Sequence, residues 1–229
     1  MKRFLRGVFN LRPSLPRYTL TWDVKEVLNF IRNIDSISCN LKLLTLKLTM
    51  LIALLSGQRV QTLQAIKVSN IHCNGNLLTI FIDTLLKQSK PGKHLKALTF
   101  KQYTMDKSLC IVSSMSEYLS RTSHIRSDQN ELLLSYIKPH KPVSAETIAR
   151  WLKHVLQESG VDINTFSAHS TRAASSSAVY SSGVPIDSIM EMVGWSSVKT
   201  FATFYNKATD STPPTFGQHL LSASNNQSQ

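Results

Sequence analysis

The stretch from Leu41 to Leu55, LKLLTLKLTMLIALL, is the longest apolar-rich part of the chain. Two lysines and two threonines interrupt it, and it is shorter than the roughly 20 apolar residues that a membrane-spanning helix needs. Asn40 stands before the run, and Gly57 follows it where a left-handed C-cap ends a helix. The run therefore predicts a helix buried inside a protein domain, and we expect no membrane partner.

The chain of 229 residues is long enough for one main domain with short flanking segments. Residues 1–21 carry two prolines among basic residues and show no sustained period, so we expect an extended basic arm or linker. Residues 210–229 are polar, contain prolines and lack a period, which is typical of a disordered tail. The main domain is therefore predicted to span residues 22–209.

The predicted fold class is mainly α with a small antiparallel β-sheet. Asp23 and Ser144 stand at N-cap positions before apolar residues with helical spacing. The pair Asn74-Gly75 is a turn signal, and the runs LLTIFI and LKALTF flank the polar sequence KQSKPGKH at 87–94. These patterns predict an exposed, lysine-rich hairpin. The helix that follows has a predicted buried face consisting of Leu109, Val112, Ser116 and Leu119.

Lysine and arginine together outnumber the acidic residues by 26 to 14, and the net charge of +12 favours nucleic acid as a partner. The three cysteines are far apart and form no C-x-x-C pair, which argues against a disulfide scaffold or a zinc site. No apolar block follows the basic residues at the N-terminus, so we expect no signal peptide and an intracellular protein.

The segment from Ala168 to Lys207, AHSTRAASSSAVYSSGVPIDSIMEMVGWSSVKTFATFYNK, places charged and aromatic side chains among small residues. His169 and Arg172 are three positions apart, so on a helix they project from one face and can hold one anion. Arg59 comes just after the end of the buried helix, at an element boundary with a rigid support. Two arginines can bind the oxygens of one phosphate, because guanidinium groups stay charged and donate in bidentate fashion.

A phosphoryl transfer needs charge stabilisation, a nucleophile and an acid for the leaving oxygen, and the sequence offers candidates for all three. Tyr205 can attack phosphorus through its phenolic oxygen. A lysine of the hairpin, Lys90 or alternatively Lys87, can protonate the leaving oxygen. His169 is a candidate for moving the tyrosine proton, and the indole N–H of Trp195 for donating to a phosphate oxygen. The sequence has no Asp and Glu cluster at metal-ligand spacing, so we expect neither a metal nor another cofactor.

Three sequence boxes, SGQRVQTL at 56–63, HSTR at 169–172 and GWSSVKTFATFY at 194–205, resemble the signature boxes of the tyrosine recombinase, or phage integrase, catalytic domain. The resemblance implies an α-rich DNA breaking-rejoining fold and site-specific recombination of double-stranded DNA through a 3′-phosphotyrosine, carried out by a homo-oligomer, a synaptic tetramer. The catalytic residues that it implies are Arg59, His169, Arg172, Trp195 and the nucleophile Tyr205. Lys90 is preferred over Lys87 because its K-P-G turn resembles the K-T-G turn of some integrases.

The segments RPSLPRY and KQSKPGKH further resemble recombinases of eukaryotic mobile elements of the DIRS and Crypton kind, which implies a nuclear protein. The chain also departs from the family pattern, since Thr62 stands where many relatives carry an acidic residue. Family members usually carry an N-terminal helical DNA-clamping domain, whereas only residues 1–21 precede the predicted domain here.

Two other functions therefore stay open. One is a noncatalytic DNA-binding protein derived from a recombinase fragment, and the other is a type IB topoisomerase, which shares the chemistry. For Tyr205 itself, the alternative is ordinary helix packing on a core face formed by Val198, Phe201, Ala202 and Tyr205.

Overall fold

A computed structural model describes residues 18–86, 89, 95–195 and 197–209, together with the isolated positions 4, 7, 9, 11 and 12. Its helices are α1 (Val24–Arg32), α2 (Leu41–Ser56), α3 (Val60–Gln64), α4 (Ile111–Thr122), α5 (Ala145–Glu158), α6 (Ser170–Ser181), α7 (Ile186–Val193) and α8 (Val198–Phe204). Its strands are β1 (Leu20–Thr21), β2 (Ile71–Asn74), β3 (Leu77–Ile80), β4 (Leu98–Lys101) and β5 (Ala208–Thr209). The predicted class, mainly α with a small antiparallel sheet, is confirmed.

Helix α2 lies at the centre of the core, as the apolar run predicted. Every residue from Leu44 to Leu54 is buried, and helices α4, α5 and α6 pack against it. The side chain of Asn40 caps its first turn by accepting from the Leu43 N–H at 2.9 Å. Gly57 ends it in the left-handed conformation with φ 58°. Among the described helices, none is long and apolar enough to cross a membrane.

The three-stranded antiparallel sheet has the order β2-β3-β4. Gly75, with φ 57°, lies in the turn between β2 and β3, as the Asn-Gly signal predicted. Leu78 pairs with Phe100 across β3 and β4, and both side chains are buried on the core side. The link from β3 to β4 contains residues 87–94, of which all but residue 89 lie outside the described residues. Lys87 and Lys90 are therefore not placed by the structure.

A second, two-stranded sheet joins the beginning of the domain to its end. Strands β1 and β5 are parallel, with Leu20 opposite Ala208 and Thr21 opposite Thr209. Because β5 follows α8 directly, this pairing fixes the backbone just after Tyr205. The predicted tail at 210–229 lies outside the described residues, as does most of the predicted arm at 1–21, so those boundaries stay predictions.

Candidate active site

The end of α2 packs against the end of α7 just before Arg59. Arg59 is half-buried at the N-cap position of α3, two residues after Gly57. A Cβ atom on Gly57 would lie 2.9 Å from Cγ2 of Val193, so a side chain at this position would collide with α7. Gly57 therefore does more than end α2. Because it has no side chain, α2 and α7 can approach closely next to Arg59.

Two consecutive backbone carbonyls of α7 anchor the segments that carry the two arginines. Gln58 Nε2 donates to the Met192 carbonyl at 2.7 Å, and Arg172 Nη2 donates to the Val193 carbonyl at 3.1 Å. Thr62 Oγ1 donates to Gln58 Oε1 at 3.3 Å. Thr62, which departs from the family pattern, therefore supports Gln58, the residue next to Arg59.

Arg172 is a buried cation with incomplete hydrogen bonding. Its side chain is 2% exposed, and its Nε and Nη1 atoms have no hydrogen-bond partner. The pKa of Arg172 is lowered to about 9, chiefly by burial and next by the positive charge of Arg59. The nearby Tyr205 hydroxyl raises this pKa, but by less than the other two effects lower it. Arg172 stays protonated at neutral pH, and a bound anion would satisfy both its charge and its free donors.

Trp195 and Tyr205 lie over the Arg172 guanidinium. The Arg172 Cζ atom is 4.8 Å from the Trp195 ring centroid and 5.5 Å from that of Tyr205. The two aromatic rings are 4.5 Å apart between centroids and tilted by 39°. The buried Trp195 Nε1 also has no hydrogen-bond partner. The Trp195 indole, the Arg172 guanidinium and the Tyr205 phenol thus lie next to one another.

His169 lies at the N-terminal end of α6, one turn before Arg172, and its side chain is exposed. Its ring centroid is 6.4 Å from that of Tyr205. The first residue of α6 is held by the beginning of the domain, because Trp22 Nε1 donates to Ser170 Oγ at 2.8 Å. The Tyr18 hydroxyl lies 2.9 Å from Ser167 Oγ, just before that helix.

An open cleft of about 580 Å³ lies on one side of this site, whereas Tyr205 lines a smaller cavity of about 170 Å³ together with His169. Arg59, His169 and Arg172 line one part of the open cleft, and α5 contributes Arg150 and Lys153. Sequence reasoning assigned no role to these two residues, although both are exposed basic residues one turn apart on a predicted helix. The cleft is open to solvent, and its cations Arg59, Arg150 and Lys153 all precede Arg172 in the sequence.

The structure thus brings together Arg59, His169, Arg172, Trp195 and Tyr205, which the sequence places far apart. Tyr205 is the C-cap residue of α8 and lies just past the end of that helix. Within the part of the chain that the structure describes, no group of His, Cys, Asp and Glu side chains is arranged to hold a metal ion.

Solved structures of recombinases share this fold. The chain is similar to the XerH recombinase bound to its difH substrate, with a TM-score of 0.63 and 16% identity over 82% of this chain and 50% of that one. The XerA recombinase gives a TM-score of 0.62 and 16% identity over 96% and 68% of the two chains. A lambda integrase dimer bound to a COC′ core site gives 0.54 and 17% over 86% and 50%.

These similarities define the fold as that of a tyrosine recombinase catalytic domain. The sequence comparison specifies the family, because residues 19–212 match the Phage integrase family model, and the chain belongs to this family. It spans about half the length of the XerH and lambda integrase chains. The comparison with curated protein sequences gave no match.

Proposed function

We propose that residues 22–209 form a catalytic domain that cleaves and rejoins double-stranded DNA through a covalent 3′-phosphotyrosine at Tyr205. The observation that carries this proposal is the set of buried donors beside that tyrosine, namely Nε and Nη1 of Arg172 and Nε1 of Trp195. Buried donors without partners cost free energy, and native proteins rarely keep them without a reason. A phosphodiester would supply several acceptor oxygens for these donors and a negative charge to balance the Arg172 cation.

The proposed first step is in-line attack on the scissile phosphorus. The Tyr205 Oη–P bond forms and the bond from phosphorus to the 5′ oxygen breaks, which leaves a 3′-phosphotyrosine and a 5′-hydroxyl. Arg59 and Arg172 bind the nonbridging oxygens, where negative charge increases in the transition state. Rejoining is the same step in reverse, with a 5′-hydroxyl as the nucleophile. The phosphodiester energy is kept in the phosphotyrosine, so no nucleotide cofactor is needed.

Two proton transfers complete the scheme. His169 accepts the Tyr205 proton, directly or through a water molecule, which its position beside that ring supports. The hairpin lysine, Lys90 or alternatively Lys87, protonates the 5′ oxygen as it leaves. Replacing that oxygen with sulfur gives a leaving group that needs no proton, so it should restore cleavage to the Lys90→Ala variant. Restoration of Lys87→Ala alone would assign the acid to Lys87.

The proposed partner is duplex DNA lying along the cleft, with Arg150 and Lys153 contacting phosphates beside the scissile one. Because strand exchange joins two duplexes, we further propose a homo-oligomer on DNA, ultimately a synaptic tetramer. A lambda integrase tetramer bound to a Holliday junction has the same fold, with a TM-score of 0.51. We also assign the chain to the DIRS-like and Crypton-like branch of mobile elements, and so to the nucleus, on the RPSLPRY and KQSKPGKH segments. Flanking repeats of such an element beside the gene would test that assignment.

The test of the catalytic proposal uses a library of nicked duplexes with randomised sequence around the nick. Cleavage beside a nick releases a short fragment, so the covalent adduct accumulates and survives denaturation in SDS. We expect sequencing of the adducts to give a specific site, with adduct formation unchanged by EDTA. Tyr205→Phe should bind DNA and form no adduct. An adduct formed by Tyr205→Phe would exclude Tyr205 as the nucleophile.

The same experiment separates the alternatives. DNA binding by the wild-type protein without any adduct would favour the noncatalytic DNA-binding protein. Relaxation of a supercoiled plasmid that lacks the selected site would favour a type IB topoisomerase. Inhibition of adduct formation by EDTA would contradict a scheme that uses side chains alone.

A further inference from the structure

Ser177 makes two hydrogen bonds to the backbone on either side of Asn206. Its hydroxyl donates to the Tyr205 carbonyl at 2.5 Å and accepts from the Lys207 N–H at 2.9 Å. The side chain is 2% exposed and lies in the middle of α6, five residues after Arg172 on the same helix. A single buried hydroxyl therefore connects the Arg172 helix to the backbone of Tyr205.

Ser177 links the backbone around Tyr205 to a helix other than α8. Tyr205 lies beyond the end of α8, and its own N–H bonds back to the Phe201 carbonyl at 2.9 Å. After Lys207 the chain is fixed again by the pairing of β5 with β1. Between these two points, the Asn206 N–H bonds to the Phe201 carbonyl at 2.9 Å and Lys207 Nζ to the Thr203 carbonyl at 3.0 Å, both of which belong to α8. The described hydrogen bonds from this segment to another helix are the two made by Ser177. Loss of the hydroxyl would leave the part-buried Tyr205 carbonyl and the buried Lys207 N–H without this partner.

We propose that Ser177 is a positioning residue for the Tyr205 nucleophile. Its hydroxyl sets the distance between the backbone of Tyr205 and the helix that carries the phosphate-binding Arg172. This inference rests on the proposed function, because a precise position matters for an attacking oxygen and matters little for a buried aromatic ring. A displacement of about 1 Å in a reacting group can reduce a rate about 100-fold. Ser177 thus acts on the reaction through Tyr205 and touches no DNA.

Ser176 is a matched control on the same helix. It is also 2% exposed, and its hydroxyl donates within α6 to the Arg172 carbonyl at 2.8 Å. Ser176→Ala therefore removes a buried serine hydroxyl of equal burial without releasing any group outside the helix. Ser177→Ala removes the connection to Tyr205, and Ser177→Cys keeps the side-chain volume while replacing the hydroxyl with a much weaker hydrogen-bonding group.

The first measurement needs no DNA. Hydrogen exchange of the Lys207 amide should be about 3- to 10-fold faster in Ser177→Ala and Ser177→Cys than in the wild-type protein, since one protecting hydrogen bond is lost. Amides of the central helix α2 should exchange at unchanged rates in all three variants. Ser176→Ala should exchange at Lys207 as the wild-type protein does. Equal exchange rates of the Lys207 amide in the Ser177 and Ser176 variants would overturn the proposed connection.

The second measurement is the single-turnover rate of adduct formation at saturating DNA, with the duplex selected by the wild-type protein. Both Ser177 variants should form the adduct about 10- to 100-fold more slowly with unchanged DNA affinity, whereas Ser176→Ala should retain the wild-type rate. A purely structural role would lower the melting temperature and leave this rate unchanged, and so would overturn the proposal. A cysteine variant with the wild-type rate would show that volume alone matters and would also overturn it.

The two measurements fail in different ways. If the wild-type protein forms no adduct, the proposed function fails, and the exchange data alone decide whether Ser177 holds the Tyr205 segment. If the wild-type protein forms the adduct and both Ser177 variants match its rate, the positioning role fails and the proposed function stands.

Discussion

The guanidinium of Arg172 lies directly over the ring of Trp195, with 4.8 Å between Cζ and the ring centroid. The indole therefore has two separable contributions to the site. Its π face stabilises the buried cation, and its Nε1–H is a donor without a partner. Because a phenylalanine keeps the face and removes the donor, one substitution separates these contributions.

Trp195→Phe should keep the fold and the DNA affinity but slow adduct formation about 10- to 100-fold, the range for removing one donor to a developing negative charge. Trp195→His, which restores a ring N–H, should recover part of the loss. Single-turnover adduct formation at saturating DNA measures both. A phenylalanine variant with the wild-type rate would show that the indole N–H does not contact the phosphate.

Arg172→Met should abolish adduct formation while raising the free energy of unfolding by about 1 kcal/mol at neutral pH. Burial of a charge without a counter-ion is costly, and an apolar side chain of similar length removes that cost. Chemical denaturation by urea measures the stability, and the nicked duplex measures the activity. A methionine variant that is both inactive and much less stable would indicate that Arg172 stabilises the fold through its bond to Val193.

The stability difference between Arg172→Met and the wild-type protein should narrow as the pH rises through about 9. The pKa of Arg172 in the folded chain is lowered to about 9, so above that pH the folded state binds fewer protons than the unfolded state. Stability then rises with pH for the wild-type protein relative to a variant that lacks the group. Urea unfolding of both proteins between about pH 7 and about pH 10 tests this. A constant difference over that range would contradict it.

Local rules predicted much of the fold. The predicted caps at Asp23 and Ser144 and the predicted helix end at Gly57 depend on neighbouring residues, and all are present in the structure. The predicted face of α4 is only partly present, since Leu109, Val112 and Leu119 pack against the core while Ser116 is exposed. The most buried hydrophobic residues of the helix are Ile111, Met115 and Tyr118, and the Tyr118 hydroxyl accepts from the distant Leu134 N–H at 3.1 Å. Periodicity alone does not show which distant segment a helix meets.

The candidate site shows the same division. The spacing of His169 and Arg172 predicted that one helix would carry both residues, whereas their approach to Arg59 followed only from the resemblance to a family. The apolar face proposed as an alternative for Tyr205 is present only in part, because Val198 is 48% exposed while Tyr205 packs against the buried Phe201. The roles of Gln58 and Ser177 could not be predicted, since each bonds to a backbone atom that only the tertiary fold brings near.

Gly57→Ala should destabilise the protein more than Gly75→Ala, although the two glycines have nearly equal φ angles of 58° and 57°. Both substitutions incur left-handed strain of about 1 kcal/mol. At Gly57 the new methyl group also approaches Val193 Cγ2 to 2.9 Å, whereas nothing lies within 4 Å at Gly75. We expect a total loss of about 2–4 kcal/mol for Gly57→Ala.

The Gly57 substitution should also slow adduct formation under conditions where the variant is folded, because Val193 supplies the carbonyl that holds Arg172. Gly75→Ala, in a turn of the sheet, should leave the rate unchanged. Equal stability losses for the two variants in urea unfolding would show that α7 moves away at little cost.

The contribution of α5 to DNA binding should be visible in the dependence of affinity on salt. Arg150 and Lys153 are exposed cations that line the cleft with Arg172, so each is expected to neutralise one phosphate and release its counterions. Arg150→Ala and Lys153→Ala should each reduce the slope of log affinity against log salt by about 1. Arg32→Ala serves as the control, because Arg32 is paired with Asp106 at 2.7 Å and does not line the cleft. Fluorescence anisotropy with one duplex at several salt concentrations measures the slopes, and a slope that changes equally in all three variants would exclude the proposed path of the DNA along α5.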